Sequence, residues 1–220
     1  MNPARILYIG EKNISSWSMR GFLALEHKQL PYEERAISLR ADKSRAERRK
    51  VSPTGKVPVL HDGGLVIPDS MAIIEYLEET YPPPGHPAMW PAKKEDRAEA
   101  RWLAATMHSG FTNLRESMSF NLCFLPKPPA ATPEALEEAS EMLSFWERTL
   151  EKKTLPGPFL FGAFGAVDIM YAVAVVRLSA FHVPTMHTPK AAEYMSAILS
   201  QPHVKKWMDA ARALPPHESY

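Results

Sequence analysis

Asp69 and Ser70 form a polar pair that follows an apolar stretch and precedes the sequence MAIIEYL. Either side chain can cap a helix there. The inward stripe of that helix includes Ile73, Ile74 and Leu77. Because the first turn of a helix has free backbone N–H groups, such a helix start binds carboxylate or phosphate well. The pattern equally fits a helix that serves only the hydrophobic core.

Three hydroxyls, on Ser15, Ser16 and Ser18, follow the short apolar run 5–9 and precede a helical pattern over 17–27. A hydroxyl at a helix start can donate a hydrogen bond to an anion, and the helix dipole favours negative charge there. One of the three also fits the role of a helix cap. These hydroxyls are therefore candidates for a helix cap or for a contact with an anionic group.

The elements that must position these residues alternate between strand and helix. After the strand at 5–9 and the helix at 17–27, an extended segment runs over 30–37, and the charged run 40–50 fits a short exposed helix. Strands at 57–60 and 65–67 flank Asp62-Gly63-Gly64, a hairpin signal, and a helix begins at 69–70. This order predicts an α/β sandwich with a mixed sheet.

The chain after the proline-rich segment 82–91 reads as helical throughout. We expect a long helix over 93–120 with an apolar stripe through Trp102, Ala105 and Leu114. A further helix is expected after Thr132-Pro133, with an inward stripe that begins at Leu136. Three more helices are expected, over the buried segment 165–178 and over 193–199 and 203–213. Gly165 caps the buried helix, and Asp168 supplies half of a capping box, a structural role. The predicted divisions are a domain at 1–81, a linker at 82–91 and an all-helical domain at 92–220.

Composition excludes several classes of function. The net charge of +1 argues against a polyanionic ligand, so no nucleic acid partner is predicted. Cys123 is the single cysteine, which excludes a disulfide framework and favours a reducing compartment. Neither a signal peptide nor a run of about 18 apolar residues is found, so we expect a cytoplasmic protein without a membrane span. The eight histidines lack metal-binding spacing, and no metal is predicted.

The strings GKVPVL and DSMAIIEYL stand in the order and spacing that cytosolic glutathione transferases use, and the chain resembles that family over nearly its whole length. The resemblance implies a thioredoxin-like N-terminal domain followed by an all-α domain. SSWSMRGFLAL resembles the serine-type members, particularly the zeta class with Ser-Ser-Cys and the tau class with Ser-Pro-Phe. Trp17 stands where the zeta class has cysteine, which weakens any claim to zeta isomerisation chemistry.

The resemblance also implies a set of glutathione contacts. Val57, before Pro58, is expected to pair its backbone with the cysteinyl part of glutathione through a cis peptide. Asp69 and Ser70 are expected to hold the γ-glutamyl end. Lys56 is a lesser candidate, for the glycyl carboxylate or the backbone of the tripeptide, and a solvated lysine is the alternative. Glutathione is thus implied as co-substrate.

Ser15 is the residue that the resemblance places on the activating serine. A glutathione thiol is nucleophilic as its thiolate, and a hydroxyl donor at a helix start favours the charged form. Two alternatives stay open: Ser16 activates the thiol, or backbone N–H groups do so without a hydroxyl. Tyr8 falls two residues before the tyrosine of tyrosine-type members, and Cys123 reads as a packed thiol.

The pocket for the second substrate is harder to read from the sequence. Family analogy suggests Trp17, Met107, Phe111 and Arg115, with Phe120, Phe124 and Tyr220 as further candidates. Methionine and phenylalanine at helical spacing equally fit a hydrophobic core. The second substrate is not identified by the sequence.

The resemblance thus implies a homodimeric glutathione transferase that conjugates glutathione to small hydrophobic electrophiles, a detoxification reaction. A glutathione-dependent peroxidase or a zeta-like isomerase is the enzymatic alternative. A non-catalytic interaction protein on the same fold is the alternative from another class.

Overall fold

The computed structural model describes residues 5–40 and 44–216. They form two compact units, residues 5–89 with 206–215 and residues 90–205. The first is a four-stranded mixed sheet with helices, and the second is helical, so the predicted thioredoxin-like and all-α classes are confirmed. The boundary between the units falls inside the segment 82–91, while the domain limits given above stay a prediction. Within the described ranges no helix combines the length and apolar character needed to cross a bilayer.

The sheet of the first unit has the order β2-β1-β3-β4. Its strands are β1 (Arg5–Ile9), β2 (Glu33–Ala36), β3 (Val59–Asp62) and β4 (Leu65–Ile67). β1 pairs parallel to β2 and antiparallel to β3, and β3 pairs antiparallel to β4. β1 is therefore central, and the loop that follows it leaves the sheet beside β3.

The β3–β4 hairpin closes through Gly63 and Gly64, as the turn signal predicts. Their φ angles are +54° and +94°, a conformation that suits glycine because a Cβ would be strained there. Asp62 belongs to β3, where its carboxylate accepts a hydrogen bond from Arg5 at 3.0 Å.

Three helices complete this part of the first unit: α1 (Ser16–His27), α2 (Ser44–Val51) and α3 (Ser70–Thr80). The inward stripe predicted for α3 is confirmed, since Ile73, Ile74 and Leu77 are fully buried. Residues 41–43 of the charged run lie outside the described residues.

The second unit contains α4 (Lys94–Ser109), α5 (Thr112–Ser117), a 3₁₀ helix (Phe120–Phe124), α6 (Pro133–Lys152), α7 (Ala166–Ala180) and α8 (Pro189–Ser200). α6 begins as predicted, with Thr132 Oγ1 accepting the N–H of Ala135 at 3.3 Å. α7 is almost entirely buried, as its apolar composition predicts. Leu136 is 42% exposed, so its place in the predicted inward stripe of α6 is wrong.

The prediction of one long helix over 93–120 is wrong. α4 ends at Ser109, and Phe111 adopts left-handed angles (φ 57°, ψ 46°) that interrupt the helical path. The predicted stripe is also wrong for two of its members, because Trp102 is 47% exposed and Ala105 is exposed. Leu103, Ala104 and Met107 form the buried face instead.

The last helix, α9 (Pro202–Arg212), brings distant sequence into the first unit from residue 206 onward. The Trp207 ring lies 5.1 Å from that of Phe22, and its indole N–H donates to the Lys12 carbonyl at 3.1 Å. The C-terminal segment thus packs on the loop between β1 and α1.

Candidate functional site

The start of α1 holds the serine that the sequence singled out. Ser15 is the N-cap of α1, and its Oγ accepts the backbone N–H of Ser18 at 3.2 Å. The Ser15 N–H donates to the Glu11 carbonyl at 2.9 Å, which closes the turn before the helix. Capping uses a lone pair of the hydroxyl and not its hydrogen, so Ser15 can cap the helix and still donate a hydrogen bond.

Ser18 is bonded to Ser15 through its side chain as well. The two Oγ atoms lie 2.7 Å apart, and Ser18 Oγ accepts the N–H of Gly10 at 3.0 Å. Sequence reasoning sets Ser18 beside Ser15 as a competitor and misses this bond. The i, i+3 spacing at a helix start is the signal that could have revealed it.

Gly10 lies close to this pair of hydroxyls because it lacks a side chain. A Cβ at Gly10 would stand 3.1 Å from the Ser15 Cβ and would overlap the side chain of Leu39. A larger residue would therefore push the Leu39 side chain aside and press against Ser15.

The loop between β1 and α1 is also held by its own side chains. Asn13 donates from Nδ2 to the Pro215 carbonyl at 2.8 Å. The Glu11 carboxylate accepts from the Ser38 hydroxyl at 2.7 Å and from the Leu39 N–H at 2.8 Å. Burial acts to raise the pKa of Glu11, but these hydrogen bonds outweigh it and the pKa lies below the usual value. The turn that carries Ser15 is therefore anchored on several sides.

Val57 lies where β3 begins, next to Pro58. The Val57–Pro58 peptide bond is cis, as the family resemblance implied. Within residues 5–40 and 44–216, neither the N–H nor the C=O of Val57 takes part in a hydrogen bond. α1 packs directly on this proline, because a Cβ at Gly21 would lie 3.0 Å from the Pro58 Cβ. An unpaired backbone donor and acceptor therefore stand beside α1.

Asp69 is the N-cap of α3, which settles which of the two polar residues caps that helix. Its Oδ1 accepts the N–H groups of Met71 at 2.8 Å and Ala72 at 3.0 Å. Ser70 is 1% exposed, and its Oγ has no hydrogen-bond partner anywhere in the described part of the chain. A buried hydroxyl without a partner costs free energy, so a polar ligand group at this helix start would be stabilised.

Lys56 is exposed, and its backbone N–H donates to Thr54 Oγ1 at 3.2 Å. Its assignment to glutathione stays a prediction.

The four residues suggested for the electrophile pocket have different surroundings. Trp17, in the first unit, is covered by the Arg20 guanidinium, whose Cζ lies 4.4 Å from the ring centre. In the second unit Met107 is fully buried and Phe111 is 6% exposed, so both contribute to the core. Arg115 donates to the His108 carbonyl at 3.3 Å, and burial lowers its pKa. The pocket stays a prediction.

The further pocket candidates lie in the 3₁₀ helix or outside the described residues. Phe120 is buried in the 3₁₀ helix, its ring 5.4 Å from that of Phe124, and Tyr220 lies outside the described residues. Burial raises the pKa of the Cys123 thiol to about 12, so it is protonated and unreactive near neutral pH. Over residues 5–40 and 44–216, no group of three or more His, Cys, Asp or Glu side chains is placed to hold a metal ion.

Two family descriptions match this chain, one toward each end. Residues 11–85 match the family description "Glutathione S-transferase, N-terminal domain", and residues 129–210 match "Glutathione S-transferase, C-terminal domain". A probable maleylacetoacetate isomerase of Caenorhabditis elegans is 34% identical over 113 residues, which are 51% of this chain and 50% of that protein. The chain therefore spans about half the length of this curated relative.

Solved structures extend the similarity over the whole chain. A glutathione transferase homolog from Burkholderia strain BGR1, with bound glutathione, is 29% identical with a TM-score of 0.70, covering 97% of this chain and 100% of that one. A maleylacetoacetate isomerase from Methylobacterium extorquens AM1, with bound malonate and glutathione, is 25% identical with a TM-score of 0.70, covering 96% and 98%. Both family descriptions and the solved structures agree, and the chain belongs to the glutathione S-transferase family.

Proposed function

We propose that this protein binds glutathione in its first unit and activates the thiol for attack on a small hydrophobic electrophile. The observation that carries the proposal is the buried, unpartnered hydroxyl of Ser70 at the start of α3. The γ-glutamyl carboxylate of glutathione is an acceptor that would satisfy this hydroxyl and the nearby helix dipole. Asp69 supplies a negative charge for the adjacent ammonium.

The backbone of Val57 supports the same ligand. Its N–H and C=O are one donor and one acceptor in an extended segment, and a peptide can pair with both in the manner of an added strand. The cysteinyl residue of glutathione fits this position, and Lys56 contributes a positive charge for the glycyl carboxylate.

Ser15 is proposed to stabilise the thiolate. The free thiol has a pKa of about 8.5, so only a few per cent is ionised at neutral pH. A hydroxyl hydrogen bond to sulfur, together with the positive end of α1, favours the charged form. The thiolate then attacks an electrophilic carbon, the C–S bond forms, and the leaving group departs with its electron pair.

Double-bond isomerisation is a second candidate, favoured by the names of the relatives from Caenorhabditis elegans and Methylobacterium extorquens. Its first step is the same, since the thiolate adds to a conjugated double bond. The resulting single bond rotates, and the thiolate leaves again. Trp17 in place of the zeta-class cysteine weakens this second candidate.

Glutathione binding is the first experiment. At a concentration 100 times its Kd, glutathione should stabilise the fold by about 2.7 kcal/mol, which corresponds to a rise in Tm of about 5–10 °C for a chain of this size. The matched control ligand is the isomer with an ordinary α-linked glutamate, which should bind weakly. Ser70→Ala should weaken glutathione binding. If calorimetry detects no binding and Ser70→Ala changes nothing, the interaction-protein alternative is favoured. If glutathione binds but Ser70→Ala leaves its affinity unchanged, Ser70 is not a glutathione contact.

The reaction itself requires a panel of substrates. We propose testing an activated aryl chloride, a hydroperoxide and a cis-configured maleyl compound with the same enzyme preparation. Conjugation of the aryl chloride supports a transferase, and turnover of the maleyl compound alone supports the isomerase. We further propose a cytoplasmic homodimer with a role in detoxification, for which the single cysteine and the family resemblance are the grounds.

A further inference from the structure

Two serine hydroxyls at the start of α1 share one hydrogen-bond chain. It runs from the Gly10 N–H to Ser18 Oγ over 3.0 Å, and from Ser18 Oγ to Ser15 Oγ over 2.7 Å. Ser15 Oγ also accepts the Ser18 backbone N–H at 3.2 Å. Ser18 is fully buried, whereas Ser15 keeps 6% of its surface exposed.

The direction of the bond between the hydroxyls follows from counting hydrogens. Within residues 5–40 and 44–216, the Gly10 N–H and the Ser15 hydroxyl are the only groups bonded to Ser18 Oγ. The Gly10 N–H can only donate, so the hydrogen of Ser18 has Ser15 Oγ as its acceptor. In the opposite direction Ser18 Oγ would accept two hydrogen bonds, and its own buried hydrogen would have no acceptor among the described residues.

We propose that Ser18 is a positioning residue that donates to Ser15 Oγ and thereby directs the Ser15 hydroxyl hydrogen toward the sulfur of glutathione. This inference rests on the proposed function. Ser15 Oγ then accepts two hydrogen bonds, both from Ser18, so its own hydrogen is left for the ligand. Each donor in such a chain also polarises the next, which strengthens the terminal bond to the thiolate.

Ser18→Ala is the test variant, because it removes the hydroxyl and keeps the backbone N–H that Ser15 caps. The readout is the ultraviolet absorbance of the glutathione thiolate in the enzyme complex as the pH is varied. Without the bond from Ser18, the Ser15 hydroxyl is a weaker donor to the thiolate and the thiol pKa rises; we expect a rise of about half a unit, or about threefold less thiolate below that pKa. kcat should fall by the same factor near neutral pH and recover at alkaline pH, with KM for glutathione unchanged.

Three further variants separate positioning from packing. Ser18→Thr keeps a donor and should retain the original titration curve. Thr149→Ala removes a buried hydroxyl of the second unit, which donates to Glu99 at 3.3 Å, and should lower Tm without moving the curve. In the double variant of Ser15→Ala with Ser18→Ala, the curve should match that of Ser15→Ala alone, because Ser18 acts through Ser15.

The outcomes distinguish this inference from the proposed function. If glutathione binds and Ser15→Ala moves the curve while Ser18→Ala does not, the inference is wrong and the proposed function stands. The inference is also wrong if the titration curve of the double variant is shifted beyond that of Ser15→Ala. It is equally wrong if the curve of Ser18→Thr matches that of Ser18→Ala. If the unsubstituted protein does not bind glutathione, the proposed function fails and the inference fails with it.

Discussion

The ionisation of a bound thiol depends on a few kcal/mol, which is within the range of one hydroxyl. A hydrogen bond to a charged group contributes about 1.5–3 kcal/mol, equivalent to about one to two pKa units. Ser15 sits where this contribution is largest, at the positive end of α1 and out of bulk water, with 6% exposure. Its role as helix cap fixes the oxygen in place, so little orientational freedom is lost when it donates.

Ser15→Ala should raise the pKa of the bound thiol and lower kcat/KM by about tenfold to a hundredfold, because the thiolate loses its donor. The glutathione Kd should change less, since the contacts to the two ends of the tripeptide remain. The measurement is a titration of thiolate absorbance together with steady-state kinetics.

Ser16→Ala is the matched control for that measurement, being a neighbouring buried serine in the same turn. If its curve shifts and that of Ser15→Ala does not, Ser16 is the activating residue. If neither shifts, the thiolate is held by the backbone N–H groups at the start of α1.

At the scale of elements, Asp69 combines a structural role in α3 with a proposed role in binding. Its Oδ1 accepts two N–H groups of the first turn, at 2.8 and 3.0 Å, and this alone explains a carboxylate at the position. The proposed contact with the ammonium of glutathione depends on charge, whereas the cap depends on an acceptor. Two substitutions can therefore separate the roles.

Asp69→Asn should keep the free energy of unfolding nearly unchanged while weakening glutathione binding, because the amide oxygen still caps the helix and the charge is gone. Asp69→Ala should lower the free energy of unfolding by about 1 kcal/mol as well. Urea unfolding and calorimetry with glutathione measure the two effects. Unchanged affinity in Asp69→Asn would limit Asp69 to the cap.

The first turn of α7 contains a titratable group, Asp168, whose ionisation makes the stability of the fold depend on pH. Asp168 is fully buried, and its Oδ2 accepts the Gly165 N–H at 2.9 Å, so the predicted half of a capping box is present. Burial raises the pKa of Asp168 to about 7, although hydrogen bonds from Leu160 and Gly165 oppose the shift. An unfolded aspartate has a pKa of about 3.9, so the native state holds an extra proton between these values.

The stability contributed by protonated Asp168 is therefore complete below about pH 4 and is lost as the pH rises to about 7. We expect the difference in unfolding free energy between the unsubstituted protein and Asp168→Asn to be larger at pH 5 than at pH 8. The asparagine does not titrate, and all other carboxylates are the same in both proteins. Their contributions to the pH dependence therefore cancel in the comparison. A difference that is constant or grows with pH would show that Asp168 is ionised throughout.

Local chemistry decides which elements are predictable from the sequence. Gly63 and Gly64 reveal the hairpin because both have positive φ, and Thr132 with Pro133 reveals the start of α6 because cap and N1 residue are adjacent. The break after α4 has a weaker cue, a single glycine: Gly110 follows the last residue of the helix and is its C-cap. Phe111, the next residue, is left-handed although phenylalanine seldom is, so its residue type gives no cue to the change of direction before α5.

At the scale of the molecule, the surroundings of Ser15 illustrate the limit of sequence reasoning. The serine itself is visible as a residue type before a helix. Its loop, however, is held by Trp207 and by the Pro215 carbonyl, which lie about 200 positions along the chain from Lys12 and Asn13. No local pattern reports such contacts, because they arise only when the C-terminal segment packs on the first unit.

The first unit also leaves an apolar edge of its sheet exposed. β4 is the last strand in the order β2-β1-β3-β4, and its Leu65 and Val66 are 54% and 43% exposed. Exposed apolar edges are sites of association unless they are covered. A second copy of the chain is the expected cover, consistent with the homodimer that the family resemblance implies.

Light scattering at micromolar concentration should therefore give twice the chain mass of 24.7 kDa. The double substitution Leu65→Lys with Val66→Lys should shift the protein toward monomer, because two charges at the edge would lose hydration in an interface. Met186→Lys is the control, since Met186 is 80% exposed and the same type of change there should leave the mass unaltered. A single-chain mass for the unsubstituted protein would refute the dimer. A dimer insensitive to the β4 substitutions would place its interface on another surface.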